Sequence, residues 1–117
     1  KSIEPAFFDA NALDDRLVDR YYDMLRAPGV RAAILERAHQ TIYTDPVPRL
    51  KKITAPTLLI WGEEDRMIPS RNAKSYSSVL LQSQTVLLPK LGHLVQEEQP
   101  NIGLKAVTEF LNSTLKR

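Results

Sequence analysis

The spacing of the hydrophobic positions changes once along the chain, near residue 57. Before that point, apolar side chains recur every three or four residues over two stretches, 13–25 and 30–42, which is the period of an amphipathic helix. Pro28 and Gly29 separate the stretches and end the first one. The pattern predicts a helical hairpin after an irregular segment, residues 1–12. The apolar positions are Leu13, Leu17, Tyr21, Met24 and Leu25 in the first helix and Val30, Ile34, Ala38 and Ile42 in the second.

From residue 57 onward, short uninterrupted apolar runs alternate with helical spacing. The runs are Thr57–Trp61 and Thr85–Leu88, and such runs are typical of strands buried on both faces of a parallel sheet. Helical periods over 70–81 and 100–115 place one helix after each strand. The order strand–helix–strand–helix predicts a parallel crossover and an α/β fold. The last helix is predicted to bury Leu104, Val107, Leu111 and Leu115.

Two strands are too few for a sheet that is covered on both faces. Each strand would keep an unpaired edge, and a two-stranded sheet is marginal by itself. We therefore expect the chain, which begins at Lys1 rather than Met, to be a fragment whose partner strands precede it. The N-terminal part of the same fold would be its partner, and copies could also associate by sharing strands.

Composition and charge exclude several classes of function. Sixteen Lys and Arg against 14 Asp and Glu give a net charge of +2, and the mixed charges give little support for nucleic-acid binding. The absence of cysteine excludes disulfides, thiolate zinc sites and a cysteine nucleophile. No apolar run is long enough to span a bilayer. No signal-peptide pattern opens the chain, so the compartment stays open, with the cytoplasm weakly favoured.

Ionisable side chains follow both predicted strands. Asp65 comes after the first strand and His93 after the second. In open α/β sheets the loops beyond the carboxyl ends of the strands form the working edge, so this acid and this histidine can meet. Such a pair is two-thirds of a nucleophile–base–orienter site. Glu63 and Glu64 are competing carboxylates that we expect to face solvent.

The residues around this pair resemble the C-terminal part of an α/β-hydrolase. The resemblance covers about residues 47–115, and the helices within 13–42 look like the end of the cap that many members carry over the site. It implies two regions, with residues 1–46 as the end of a helical cap and residues 47–117 as two parallel strands with flanking helices from the hydrolase core. It rests on the order and spacing of Gly62, Asp65, Pro69, Gly92, His93 and Pro100.

The resemblance implies that Asp65 is the catalytic acid and His93 the catalytic base of the complete enzyme. The family's serine nucleophile lies earlier, in a Gly-x-Ser-x-Gly elbow. That elbow is missing, because none of the chain's four glycines brackets a serine. The complete enzyme is expected to hydrolyse an ester or a related small apolar substrate through a Ser–His–Asp triad, without cofactor or metal. The 117 residues alone are expected to be inactive.

Two kinds of alternative remain open. Within the same fold, a carboxylate nucleophile would give a dehalogenase or an epoxide hydrolase, and a carbon–carbon bond hydrolase is also compatible. From another class, the chain could be a non-catalytic interaction module that binds a partner along its exposed sheet edge.

Further side chains near the pair are candidates for lesser roles. Ile68, Leu94 and Val95 are predicted to line an apolar substrate cavity. Trp61 is expected to pack in the core, with a pocket wall as the alternative. His39 is expected to be solvated, because two histidines so differently placed make a poor zinc site. The remaining acids near His93, Glu97 and Glu98, are predicted to be surface charges or helix-opening acids.

Overall fold

The computed structural model describes residues 3–115, so the outermost ends of the two predicted regions, residues 1–2 and 116–117, lie outside the described residues. Its two strands form one parallel sheet, and the rest of the regular structure is helical. The elements are α1 (Asp15–Arg26), α2 (Val30–Gln40), α3 (Val47–Leu50), β1 (Thr57–Gly62), α4 (Arg71–Ser77), β2 (Ser83–Leu88), α5 (Val95–Glu98) and α6 (Pro100–Leu115).

The parallel pairing of β1 and β2 confirms the predicted α/β class. Thr57 lies opposite Ser83 and Gly62 lies opposite Leu88, with α4 forming the crossover between the strands. Because both strands end side by side, the loops that follow them leave the same edge of the sheet. Strand β2 begins two residues earlier than the apolar run predicted.

The helical hairpin has the caps that its sequence provides. The Asp14 carboxylate accepts the backbone N–H of Leu17 at 2.7 Å and caps the start of α1. Gly29 adopts a left-handed φ of +83° before α2, a conformation that glycine reaches without steric cost. Helix α2 ends at Gln40 rather than at the predicted Ile42.

The first residues are more ordered than predicted. Residues 4–6 and 10–12 form two single 3₁₀ turns instead of an irregular segment. Between them, Phe7 is almost completely buried, with 2% of its surface exposed. Residues far along the chain hold this segment in place. The Ala6 carbonyl oxygen accepts the backbone N–H groups of His93 at 2.8 Å and Leu94 at 3.3 Å. Sequence spacing alone gives no sign of partners so distant along the chain.

The predicted buried face of α6 is wrong for this chain. Leu104 and Leu115 are 64% and 81% exposed, whereas Gly103 and Ala106 are buried. Small residues on that side let the helix approach α5, and a Cβ at position 103 would lie 3.6 Å from Val95 Cγ1. The core beneath it contains Leu88, Leu91 and Val95, with Ile60 and Val86 packed against them.

The apolar positions of the hairpin are also more exposed than a buried helix face would be. Met24, Leu25, Ile34 and Ile42 are all exposed. The structure therefore leaves large apolar surfaces on α1, α2 and α6 uncovered by residues 3–115. Within that range no helix has the length and apolar character needed to cross a membrane.

Candidate active site

The loop after β1 is closed around the Asp65 carboxylate. Asp65 Oδ1 accepts the backbone N–H groups of Met67 at 2.9 Å and Ile68 at 2.8 Å. On the other side, the indole N–H of Trp61 donates to the Ile68 carbonyl oxygen at 2.8 Å. The last turn of the loop is therefore fixed by two side chains that precede it in the sequence, those of Trp61 and Asp65. Only 8% of Asp65 is exposed.

The loop after β2 packs directly against the end of β1. The Glu63 and Glu64 backbone N–H groups donate to the carbonyl oxygens of Leu88 and Leu91, both at 3.0 Å. A Cβ at Gly62 would lie 2.1 Å from the Gly92 carbonyl oxygen, so the close approach requires glycine there. The residue after Gly92 is His93, which this contact brings to the acid. As expected, the side chains of Glu63 and Glu64 are exposed.

Asp65 and His93 meet as the strand order predicts. Asp65 Oδ2 lies 2.9 Å from His93 Nδ1. An ionised Asp65 makes Nδ1 the proton-bearing nitrogen and leaves Nε2 as the free acceptor. The Asp65 carboxylate is almost fully covered, whereas 32% of the imidazole remains exposed. The arrangement therefore offers one histidine nitrogen to a substrate or a nucleophile.

The environment favours the charged form of Asp65. Burial alone raises the pKa of a carboxyl group, because it removes the charge from water. The hydrogen bonds from the Ile68 backbone, the His93 ring and the Met67 backbone outweigh burial, and the pKa of Asp65 is lowered from its ordinary value of 3.8. At neutral pH the group is thus a carboxylate that accepts three hydrogen bonds.

A cavity of about 410 Å³ opens beside His93. Apart from the imidazole, its walls are mainly apolar side chains of α1, with Met67 and Leu94 closing one side. Tyr21 contributes its ring, while its hydroxyl donates to Glu97 Oε1 at 3.2 Å. Burial, followed by the charge and the hydrogen bond of Glu97, raises the pKa of Tyr21, which keeps the phenol neutral. The sequence had indicated only a packing role for Tyr21.

The three predicted cavity residues do not share one wall. Leu94 lines the 410 Å³ cavity. Ile68 and Val95 line a separate cavity of about 200 Å³ that reaches both Asp65 and His93, and Val95 also belongs to the core. Trp61 lines this smaller cavity as well, and its ring centroid lies 6.1 Å from that of Tyr76. Trp61 thus lines a cavity, the alternative to core packing, and it lies outside the core cluster.

The prediction that Glu98 is a surface charge is wrong. Only 8% of Glu98 is exposed, because its two oxygens accept backbone N–H groups from Gly92, Phe8 and Asp9. Two of these donors stand about 90 residues away in sequence, so no local pattern could reveal them. Its neighbour Glu97 is partly exposed and pairs with Arg20 Nη2 at 2.6 Å.

His39 takes no part in the site. It lies exposed on α2. Within residues 3–115, no three His, Asp or Glu side chains are grouped in a way that could hold a metal ion.

The parallel sheet with its flanking helices has the architecture of part of an α/β-hydrolase core. Residues 2–104 match the alpha/beta hydrolase family. The chain belongs to that family, and the structure corresponds to a C-terminal part of its fold.

Named relatives agree with this assignment. The chain is 30% identical over 112 residues to the uncharacterized hydrolase YugF of Bacillus subtilis, an alignment that covers 95% of this chain and 41% of the relative. It is 31% identical over 110 residues to the 2-hydroxy-6-oxononadienedioate/2-hydroxy-6-oxononatrienedioate hydrolase of Paraburkholderia xenovorans, covering 89% of this chain and 37% of that protein. The chain thus spans about two-fifths of the length of these curated relatives.

A solved structure shares the fold. The CarC serine hydrolase involved in carbazole degradation superposes with a TM-score of 0.83 at 22% identity, over 95% of this chain and 45% of its own. At this identity the likeness concerns the fold alone.

Proposed function

We propose that this chain supplies the acid and the base of a hydrolase active site. The observation that carries the proposal is the 2.9 Å contact between Asp65 Oδ2 and His93 Nδ1, with His93 facing an apolar cavity. Asp65 orients the imidazole and stabilises its protonated form, as the acid of a nucleophile–histidine–acid triad does. His93 Nε2 takes the proton from the nucleophile and later returns it to the leaving group.

The nucleophile belongs to another part of the same fold. The chain has no serine between glycines at elbow spacing, and it spans about two-fifths of its relatives. That other part of the fold would pack against two surfaces of this chain. These are the free edges of the two-stranded sheet and the exposed leucines of α6. The proposal therefore includes the inactivity of the 117 residues alone, because base and acid have no hydroxyl to activate.

Residues 1–46 form the end of a cap over this site, and residues 47–117 belong to the core. Support for the division comes from the 410 Å³ cavity, in which α1 faces His93. The link between the two regions is polar, since Arg20 of α1 pairs with Glu97 of α5.

A small apolar ester is the substrate class that the cavity favours. Its walls are tyrosine rings and aliphatic side chains around one imidazole, and such walls bind an acyl or aryl group by burial. A second candidate is carbon–carbon bond hydrolysis of a 2-hydroxy-6-oxo acid. It is favoured by the relative from Paraburkholderia xenovorans, which carries that name.

The test uses the complete gene product and an activated aryl ester such as p-nitrophenyl butyrate. Asp65→Asn should lower kcat by roughly 10⁴-fold, and His93→Ala should lower it by roughly 10⁶-fold. The control is His39→Ala, which removes an exposed histidine of α2 and should leave kcat unchanged. Turnover that survives His93→Ala would refute the proposal.

The wild-type protein separates the two substrate classes. A 2-hydroxy-6-oxo-dienoate is offered beside the ester, and kcat/KM values are compared for the wild-type protein. A preference for the ester of tenfold or more supports the first candidate, and the reverse preference supports the second.

A further inference from the structure

Glu98 is a buried carboxylate that the proposed chemistry does not use. Its Oε1 accepts the backbone N–H of Gly92 at 2.6 Å. Its Oε2 accepts the N–H groups of Phe8 at 2.9 Å and Asp9 at 3.3 Å. A carboxylate is removed from water at a cost unless such donors replace its solvation, so these three N–H groups account for its burial.

The first of these donors belongs to the residue that precedes His93. The same loop is bonded at the next residue as well, because the Ala6 carbonyl oxygen accepts the His93 backbone N–H at 2.8 Å. A Cβ at Gly92 would lie 2.7 Å from the Ala6 carbonyl oxygen and from the Phe8 nitrogen. The backbone that carries the imidazole is therefore held by Glu98 and residues 6–8 together.

We propose that Glu98 is a positioning residue for His93. By binding Gly92 and the Phe8–Asp9 segment with its two oxygens, it fixes the backbone of the histidine loop and so the direction from which Nδ1 meets Asp65. The inference rests on the proposed function, because positioning matters for rate only if His93 acts as the base. Glu98 touches neither Asp65 nor the imidazole and acts through the main chain.

The chemistry of the site explains why a carboxylate is needed. All three partners are N–H donors, and a carboxylate has acceptor sites on both oxygens and no proton to clash. A glutamine would keep one acceptor oxygen and turn an N–H₂ group toward a donor. An aspartate would keep the charge but withdraw both oxygens by one methylene.

The experiment uses the complete gene product with Glu98→Gln, Glu98→Asp and two controls. Glu109→Gln removes an exposed carboxylate of α6 that pairs with Lys105. Leu80→Ala removes a buried side chain after α4 and provides a protein of lowered stability with an intact site. Each variant is assayed for kcat and KM on the aryl ester, and the Nδ1–H signal of His93 is followed by NMR with labelled histidine.

The expected result is a split between kcat and KM. Glu98→Gln should lower kcat roughly 10–100-fold, the size of effect that a displacement near 1 Å produces, with KM changed less than twofold. The His93 Nδ1–H signal should move or broaden. Glu98→Asp should lower kcat less than Glu98→Gln does, and it should shift the His93 signal less. Both controls should keep the wild-type kcat and the wild-type signal.

Each outcome decides between the two proposals. If His93→Ala abolishes turnover while Glu98→Gln keeps the wild-type kcat and signal, positioning is overturned and the hydrolase function stands. If turnover survives His93→Ala while Glu98→Gln shifts the signal, the function is overturned and the geometric role stands. Should Glu98→Gln fail to fold, Glu98→Asp decides: a wild-type kcat and signal would overturn positioning, and an intermediate loss of kcat at unchanged KM would support it.

Discussion

Trp61 holds the far end of the acid loop through a single hydrogen bond to Ile68. The indole nitrogen lies 2.8 Å from the Ile68 carbonyl oxygen, and the N–H of the same residue donates to Asp65. The backbone of one residue, Ile68, thus bonds both a strand residue and the proposed catalytic acid. The position of the Asp65 carboxylate depends on an aromatic side chain that it does not touch through a hydrogen bond.

Replacing Trp61 with phenylalanine should loosen this loop. The variant keeps an aromatic ring beside Tyr76 but loses the donor to Ile68, so we expect the free energy of unfolding to fall by about 1 kcal/mol. Urea unfolding of the complete gene product measures it. Tyr76→Phe is the matched control, since it changes the partner ring without removing a bond to the loop. Equal stabilities for both variants would contradict the role of the indole N–H.

The lowered pKa of Asp65 makes stability depend on pH in the acid range. The group binds a proton more readily in the unfolded chain than in the folded one, so its contribution is fully present above the ordinary pKa of 3.8. It is lost as the pH falls through the lower folded value. The measurement is urea unfolding between pH 3 and pH 7. The wild-type protein should have a larger free energy of unfolding than Asp65→Asn near neutral pH, and this difference should shrink below about pH 4. Parallel curves for the two proteins across this range would contradict the expectation.

Two glycines should respond to alanine in opposite directions. At Gly92 the added Cβ meets backbone atoms at 2.7 Å, and such overpacking should destabilise the protein by about 1–3 kcal/mol. At Gly103, inside α6, its nearest neighbour is a Val95 methyl group at 3.6 Å. Gly103→Ala should therefore stabilise the protein by up to about 1 kcal/mol through helix propensity. Thermal unfolding gives the Tm of each variant. A change in Tm of the same sign in both variants would contradict the prediction.

The 117-residue chain by itself should associate and should not turn over esters. Exposed Leu104 and Leu111 on α6 and the free sheet edges are surfaces that drive association. Introducing a charge by Leu104→Lys should lower the apparent mass in sedimentation velocity runs. Glu109→Lys places the same side chain on a polar position of α6 and serves as the control. A monodisperse, cooperatively unfolding monomer would contradict this prediction, and ester turnover abolished by His93→Ala would contradict the inactivity of the chain alone.

The sequence was sufficient for the acid–histidine pair because strand order determines it. Two apolar runs with a helix between them predict a parallel pair, and the residues that follow such strands share one edge. An acid and His93 could therefore be brought together without any knowledge of side-chain packing, and the family resemblance selected Asp65 over Glu63 and Glu64. The observed register places Gly62 beside Leu88, so the two strands end side by side and the loops after them lie at the same edge.

The sequence failed where burial depends on partners far along the chain. Helical spacing identifies an apolar side of α6, but it does not say which side this chain covers, and the small residues Gly103 and Ala106 proved to be the buried ones. Glu98 has the composition of a surface residue, yet its donors come from residues 8, 9 and 92. Burial of a charge by distant main-chain donors leaves no local pattern to detect.

The bonds of residue 6 with the histidine loop, and of residues 8 and 9 with Glu98, also limit how far α1 can travel. Only five residues separate Asp9 from the first residue of α1, Asp15, and a fully extended chain of that length spans about 20 Å including both ends. While the bonds to Glu98 hold, the start of α1 stays within that distance of α5 and cannot separate from it. Any displacement of α1 over the cavity beside His93 is then limited to movement about this anchor.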